Sequence, residues 1–183
     1  MRIIFLDRDG VINEFPGKSA YVTRWEDFHF LPNAINAIKL LKEAGYEIHV
    51  VSNQGCVSRG LMTLAELQGL TNNMLKSIER NGGAIDGVFY CIHQIEDHCE
   101  CKKPKTTLFK EAVRGRHVDW ESVYFIGDSE EDMEAGKNLG CLTLLVLSGR
   151  IGKLEEVQDL NHQPDFVKKD LWDAVRWILQ EKS

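Results

Sequence analysis

The run Ile3-Ile4-Phe5-Leu6 carries apolar side chains at every position and stops on Asp7-Arg8-Asp9-Gly10. A strand that is apolar on both faces must be covered on both, the condition of a strand inside a parallel sheet. Further apolar, β-branched runs occur at 47–51, 85–91, 123–127 and 142–147. Helical patterns separate them. Residues 33–44 align Ala34, Ile35, Ile38 and Leu41 on one stripe and stop at Gly45. Residues 63–80 open on a Thr63…Glu66 capping box, carry Leu64, Leu67, Leu70, Met74 and Ile78, and end at Asn81-Gly82-Gly83. The patterns over 105–114 and 130–139 predict two more helices. A closing helix is predicted over 170–180, with Leu171, Val175 and Ile178 on one side. Strands alternating with helices predict an α/β fold with a doubly wound parallel sheet. With no internal repeat or dividing linker, residues 1–183 read as a single domain.

In such a sheet ligands bind outside the carboxyl ends of the strands. There the chain places its chemistry: Asp7 and Asp9 after the first run, Ser52-Asn53 after the second, Asp128 after the run over 123–127. Where extended geometry persists, Asp7 and Asp9 point to one side. Two carboxylates so close resist ionising together, so one favours the charged form and the other a proton. That division suits a nucleophile beside a general acid, given a cation to neutralise the cluster. Alone, Asp-x-Asp would read as a helix cap; the company of Ser52, Lys103 and Asp128 argues against that here. Asp132 stays open between supporting a metal site and capping the helix over 130–139. Glu130, Glu131 and Glu134 read as a solvated acidic face near a helix N-terminus.

Acid pair, hydroxyl, lysine and acid, in this order, resemble the four motifs of the haloacid dehalogenase (HAD) superfamily, from Ile3 to about Val146. The roles follow from the chemistry and agree with what the resemblance implies. Asp7 is the expected nucleophile toward phosphorus, forming an aspartyl-phosphate. Asp9 protonates the leaving alcohol and then activates water. Mg²⁺, a hard cation, is expected between Asp7, the backbone carbonyl of Asp9, Asp128 and the phosphate. Ser52, with the amides around Asn53, holds phosphoryl oxygens, and Lys103 offsets transition-state charge. Val11 stands where many members carry Thr.

A second constellation is Cys91-Ile92-His93 with Cys99-Glu100-Cys101. Three cysteines and a histidine form a soft, tetrahedral set that suits a closed, structural Zn²⁺ site stiffening a loop. A disulfide, or an apolar Cys91 beside an exposed His93, are the competing readings, and His98 is an alternative ligand. Cys56 and Cys141 read as ordinary thiols.

A capless HAD phosphatase with Cys-x-His…Cys-x-Cys ahead of the motif lysine resembles two groups. One is the D-glycero-D-manno-heptose 1,7-bisphosphate phosphatases, which share Tyr21-Val22, Asp27-Phe28-His29-Phe30, Ser52-Asn53-Gln54, Ser58-Arg59-Gly60 and Gly127-Asp128…Glu131-Asp132-Met133. The other is the histidinol-phosphate phosphatase domain, similar in its short loop between His93 and Cys99. Lys103-Pro104-Lys105-Thr106 departs from the heptose group's Pro-Gly-Met continuation. Lys102 replaces an Arg of both groups that contacts the distal part of the heptose substrate, and Lys lacks its fork. The resemblance implies hydrolysis of a small sugar phosphate, heptose 1,7-bisphosphate before histidinol phosphate. Substrate selection falls to the loops over 13–21 and 55–60 and to the Cys/His loop, with Lys18, Ser19, Tyr21, Asn53, Arg59 and Lys102 as candidate contacts.

A net charge of −6 argues against broad nucleic-acid binding, so a DNA 3′-phosphatase is disfavoured, and Trp25, Phe28 and Phe30 read as packing beneath a loop. A non-enzymatic zinc scaffold leaves the five polar motif residues unexplained. No apolar segment approaches a membrane span, and the first residues run directly into a core strand. The expectation is a cytoplasmic, monomeric enzyme.

Overall fold

The computed structural model describes residues 2–181. Its sheet consists of β1 (Arg2–Leu6), β2 (Tyr46–Asn53), β3 (Gly87–Cys91), β4 (Tyr124–Gly127), β5 (Leu142–Val146) and β6 (Phe166–Lys168). All pairs are parallel, in the order β3-β2-β1-β4-β5-β6. This is the doubly wound sheet the alternation predicts, with the order reversing at β1. The helices are α1 (Ala34–Glu43), α2 (Leu64–Arg80), α3 (Thr107–Ala112), α4 (Glu130–Leu139), α5 (Leu154–Val157) and α6 (Leu171–Glu181).

The period of two along each strand sorts the core into two layers. Ile4, Leu6, Ile48, Val50, Ile126 and Leu144 pack against α1, α2 and α6. Ile3, Phe5, Val51 and Phe125 pack against α3 and α4. Phe5 is wholly buried with its ring 5.0 Å from that of Phe109, a burial that stabilises the fold by about 1.5–3 kcal/mol. Trp25, Phe28 and Phe30 pack on one another at 5.1 to 6.4 Å beside the first layer. Among the described residues no separate cap covers the carboxyl ends of the strands. Among the described residues no helix is long and apolar enough to cross a membrane.

Local chemistry sets the boundaries. The Thr63–Glu66 capping box forms in both directions at the start of α2. Leu64, expected on the buried stripe, is instead 57% exposed; it sits in the first turn, where the helix has not yet met the core, and Thr71 takes a buried place. Helix α3 is shorter than the 105–114 pattern because Lys105 and Thr106 still belong to the turn that closes the Cys/His loop, Lys105 bonding the Cys99 carbonyl. Two elements, α5 and β6, carry too few apolar residues to be read from periodicity: β6 has three residues and α5 four.

Helix α4 lies close to β5 at Gly136, where a Cβ would overlap the Thr143 methyl. Thr143 cannot easily yield, since it is fully buried and its hydroxyl bonds Asp165 at 2.8 Å. Gly136→Ala is therefore expected to push α4 off the sheet and cost about 1–3 kcal/mol, read as a lowered melting temperature.

Candidate active site

Asp7 continues the parity of Ile3 and Phe5, toward the α3–α4 layer, and its N–H still bonds the Ile126 carbonyl at 2.9 Å. From that layer Lys103 and Asp132 reach it. The Lys103 ammonium donates to Asp7 Oδ1 at 2.8 Å and to the Val51 carbonyl at 2.9 Å, and pairs with Asp132 Oδ1 at 2.7 Å. Its three donors are all used. Burial opposes its charge, but Asp132 and Asp7 outweigh that and hold it above the ordinary lysine range.

Asp132 resolves its two readings by serving both a cap and an ion pair. Its Oδ2 accepts from the N–H groups of Asp128 and Ser129 at 3.1 and 3.2 Å, while Ser129 Oγ accepts from its N–H. Its other oxygen meets Lys103. This needs Gly127, where any Cβ would collide with Asp132. Asp128, at the end of β4, is 4% exposed and accepts the Arg150 N–H at 2.6 Å. Gly10, at φ +83, and Gly149 close over it; a Cβ on either would overlap its carboxylate.

Asp7, Asp128 and Asp132 each present an oxygen within 4.8 Å of the other two. Three buried carboxylates face one ammonium. Burial, ahead of their neighbours, pushes Asp7 and Asp128 above the ordinary carboxylate range. The surplus of negative charge and the hard oxygen donors fit Mg²⁺. Lys103 engages Asp132, leaving Asp128 and the second oxygen of Asp7 to a cation.

Asp9 is set apart by its partners. Its carboxylate stands outside the acid trio and accepts from Arg8 Nε and Nη2 at 3.2 and 2.9 Å, Asn13 Nδ2 at 2.8 Å and Gln54 Nε2 at 2.8 Å. In the structure the groups facing Asp9 are N–H donors of Arg8, Asn13 and Gln54, and its neighbour Arg8 supplies a compensating charge.

Ser52, next to last in β2, has its hydroxyl accepting from Gln54 Nε2 at 3.1 Å. Asn53, expected to contact substrate, commits its side chain to Lys103: it donates to the Lys103 carbonyl at 3.2 Å and accepts the Lys103 N–H at 3.0 Å. Ser52, Asn53, Ser19, Tyr21, Arg59 and Lys102 line one cleft of about 650 Å³ with Asp7, Asp9, Lys103, Asp128 and Asp132. Arg59 lies 5.7 Å over the Tyr21 ring. Lys18 is exposed and outside the cleft wall, one residue before the positive-φ turn at Ser19. Glu130 and Glu134 are not simply solvated: Glu130 accepts from Asn161 at 2.9 Å, and both lie within 3.9 Å of His162. Glu131 and Arg150 line the cleft 3.7 Å apart. Arg8, Asn13, Gln54 and Arg150 were not singled out from sequence. Arg150 had a signal, lying just beyond the carboxyl end of the run over 142–147.

Cys91, His93, Cys99 and Cys101 converge. Cys91 Sγ lies 3.6 Å from Cys99 Sγ and 3.1 Å from Cys101 Sγ, and His93 Nδ1 is 3.2 Å from Cys101 Sγ. A disulfide needs about 2.05 Å, so that reading fails. Thiolates around a tetrahedral Zn²⁺ sit about 3.7 Å apart, which these spacings approach. His98 stands outside the set, at a positive-φ turn. The loop is also tied to the 55–60 loop: Ser58 donates its hydroxyl to Asp97 at 2.7 Å and its N–H to the Ile92 carbonyl at 3.2 Å.

Comparison with known proteins matches this geometry to a family. A sequence family described as "HAD-hyrolase-like" matches residues 100–174. The chain is 32% identical over 181 residues to the D-glycero-β-D-manno-heptose-1,7-bisphosphate 7-phosphatase of Bordetella bronchiseptica, covering 99% of each chain. It is 37% identical over 138 residues to the protein of that name from Helicobacter pylori, covering 75% of this chain and 78% of that one. The crystal structure of D,D-heptose 1,7-bisphosphate phosphatase from B. bronchiseptica complexed with magnesium and phosphate superposes with a TM-score of 0.90 at 31% identity, covering 99% of both.

Raised carboxylate pKa values mean that folding favours the protonated acids. Their contribution is therefore most favourable below the ordinary carboxylate range and is lost as pH rises through the raised values. Without divalent cation, Asp128→Asn is expected to melt higher than the unsubstituted protein at neutral pH, the gap narrowing as pH falls and Asp128 takes up a proton. Mg²⁺ at a hundred times its Kd should stabilise the unsubstituted protein by about 2.7 kcal/mol and the variant far less.

Proposed function

Because this chain belongs to the D-glycero-β-D-manno-heptose-1,7-bisphosphate 7-phosphatase family of HAD-like hydrolases, we propose that it removes the 7-phosphate of a heptose 1,7-bisphosphate. It is a phosphatase of the HAD superfamily. The observation that carries the mechanism is the buried acid trio around Lys103, open to a cleft that also presents Ser52 and Asp9.

Asp7 attacks phosphorus as the nucleophile. Asp7, the Asp9 carbonyl and Asp128 would hold Mg²⁺, which would supply the charge neutralisation that lets a carboxylate approach a phosphate. Lys103 fixes Asp7 from the side of the α3–α4 layer, and its ammonium lies where phosphoryl oxygens gain charge. Ser52 and the amides near Asn53 receive phosphoryl oxygens, and Asp9 gives a proton to the leaving alcohol and later takes one from water. The whole described chain acts as one domain, as a cytoplasmic monomer without nucleic-acid or membrane partners.

The cleft rim supports a bisphosphate over histidinol phosphate. Arg59, Lys102, Lys105 and Arg150 line it, against Glu131. Cations suit a second phosphate, whereas the amine of histidinol phosphate calls for acids. With Mg²⁺ present, kcat/KM over a panel of phosphate esters should be highest for a heptose 1,7-bisphosphate. A higher value for histidinol phosphate would assign the alternative substrate.

The Cys/His cluster is proposed to hold one structural Zn²⁺. All four positions are filled by protein, so its work is to fix the loop that ends in Lys102 and Lys103. Purified protein should carry about one equivalent of zinc by elemental analysis. Cys99→Ser should lower the melting temperature and weaken turnover with the acids untouched. Active, well-folded protein without zinc would contradict this.

A further inference from the structure

Three side chains that hold Asp9 have no place in the roles above. Arg8, Asn13 and Gln54 are each fully buried. Arg8 spreads its guanidinium between the rings of Phe28 and Tyr90, at 5.9 and 5.7 Å, and grips Asp9 through two nitrogens. Burying an ion pair and two amides costs more than filling the same space with apolar residues, so stability alone does not call for them. All three point at one carboxylate at the cleft floor, whose side chain is only 16% exposed. Gln54 does more. Its Nε2 bridges Asp9 Oδ2 at 2.8 Å and Ser52 Oγ at 3.1 Å, joining the acid–base group to the hydroxyl that receives the phosphoryl oxygens. Its backbone is pinned as well, the Gln54 N–H donating to the Cys91 carbonyl at 2.6 Å.

We infer that Gln54, with Arg8 and Asn13, is a positioning residue that sets the Asp9 carboxylate at a fixed distance from the phosphoryl group. The inference rests on the acid–base role proposed for Asp9. In the first step Asp7 bonds to phosphorus and the bond from phosphorus to the leaving oxygen breaks. That oxygen keeps the electron pair and takes the proton of Asp9. In the second step a water oxygen bonds to phosphorus, the Asp7–phosphorus bond breaks, and the water proton passes to Asp9. One carboxylate must meet the leaving oxygen and then the water in nearly the same place. A carboxylate held from three sides does so; a freely rotating one spends its time elsewhere.

The test compares Gln54→Leu, Gln54→Met and Asp9→Asn on an alkyl phosphate, which needs protonation of its leaving group, and on nitrophenyl phosphate, which needs little. Each variant is first checked for a cooperative melt and bound zinc; Gln54→Met serves if the branched leucine does not fit. The Gln54 variant should lose kcat by about ten- to a hundredfold on the alkyl ester and less than about threefold on the aryl ester, with KM little changed on both. A merely structural role would lower both substrates alike. If Asp9→Asn discriminates between the esters and the Gln54 variants lose equally on both, the positioning inference falls and the Asp9 role stands. If Asp9→Asn itself loses equally on both, the acid role falls and takes the inference with it.

Discussion

The site turns on the Lys103 ammonium, buried between Asp7 and Asp132. A buried charge is costly unless paired and hydrogen-bonded, and this one has three partners drawn from the ends of β1 and β2 and the first turn of α4. It thereby fixes the relative placement of three segments distant in sequence. The pairing is incomplete: three acids and one lysine leave a surplus of negative charge, and among the described residues no cationic side chain forms an ion pair with Asp128. Such a surplus, held out of water on hard oxygen donors, suits a divalent cation. The magnesium in the B. bronchiseptica structure is consistent with that.

Other features serve the same placement. Gly127 makes room for Asp132 against β4, and Gly10 and Gly149 let two loops approach Asp128. Asn53 ties the Lys103 backbone to the end of β2 through two hydrogen bonds. The Cys/His loop ends directly on Lys102 and Lys103, and Ser58–Asp97 links it to the loop that carries Arg59. The lysine of the acid cluster and the rim of the cleft are thus mechanically joined through one short segment.

Much of this was legible in the sequence. Buried parallel strands announce themselves as unbroken apolar runs, so the sheet and the positions of Asp7, Ser52 and Asp128 at its carboxyl ends followed from pattern. The Cys/His set followed from residue type and spacing. What periodicity does not carry was missed: the short elements α5 and β6, and the exposure of Leu64 in a first turn that meets no core. The partners of Asp9 were missed for a different reason. Arg8 lies between two acids and reads as a local counter-charge, while Asn13 and Gln54 become donors to Asp9 only when the loop after β1 folds over the end of β2. The Asn53 side chain's ties to the Lys103 backbone and the turn at Ser19 beside Lys18 were not legible either, because side-chain direction in a loop is set by tertiary hydrogen bonds and turn geometry, not by neighbourhood in the chain.

The central claim is that Lys103 and a divalent cation share the neutralisation of one buried acid cluster. The most direct measurement is Mg²⁺ affinity by calorimetry alongside turnover for Lys103→Met. The predicted result is Mg²⁺ binding at least as tight as in the unsubstituted protein, since a competing positive charge has gone, with kcat lower by about a hundredfold or more. Turnover close to that of the unsubstituted protein, or loss of Mg²⁺ binding in a folded variant, would contradict it.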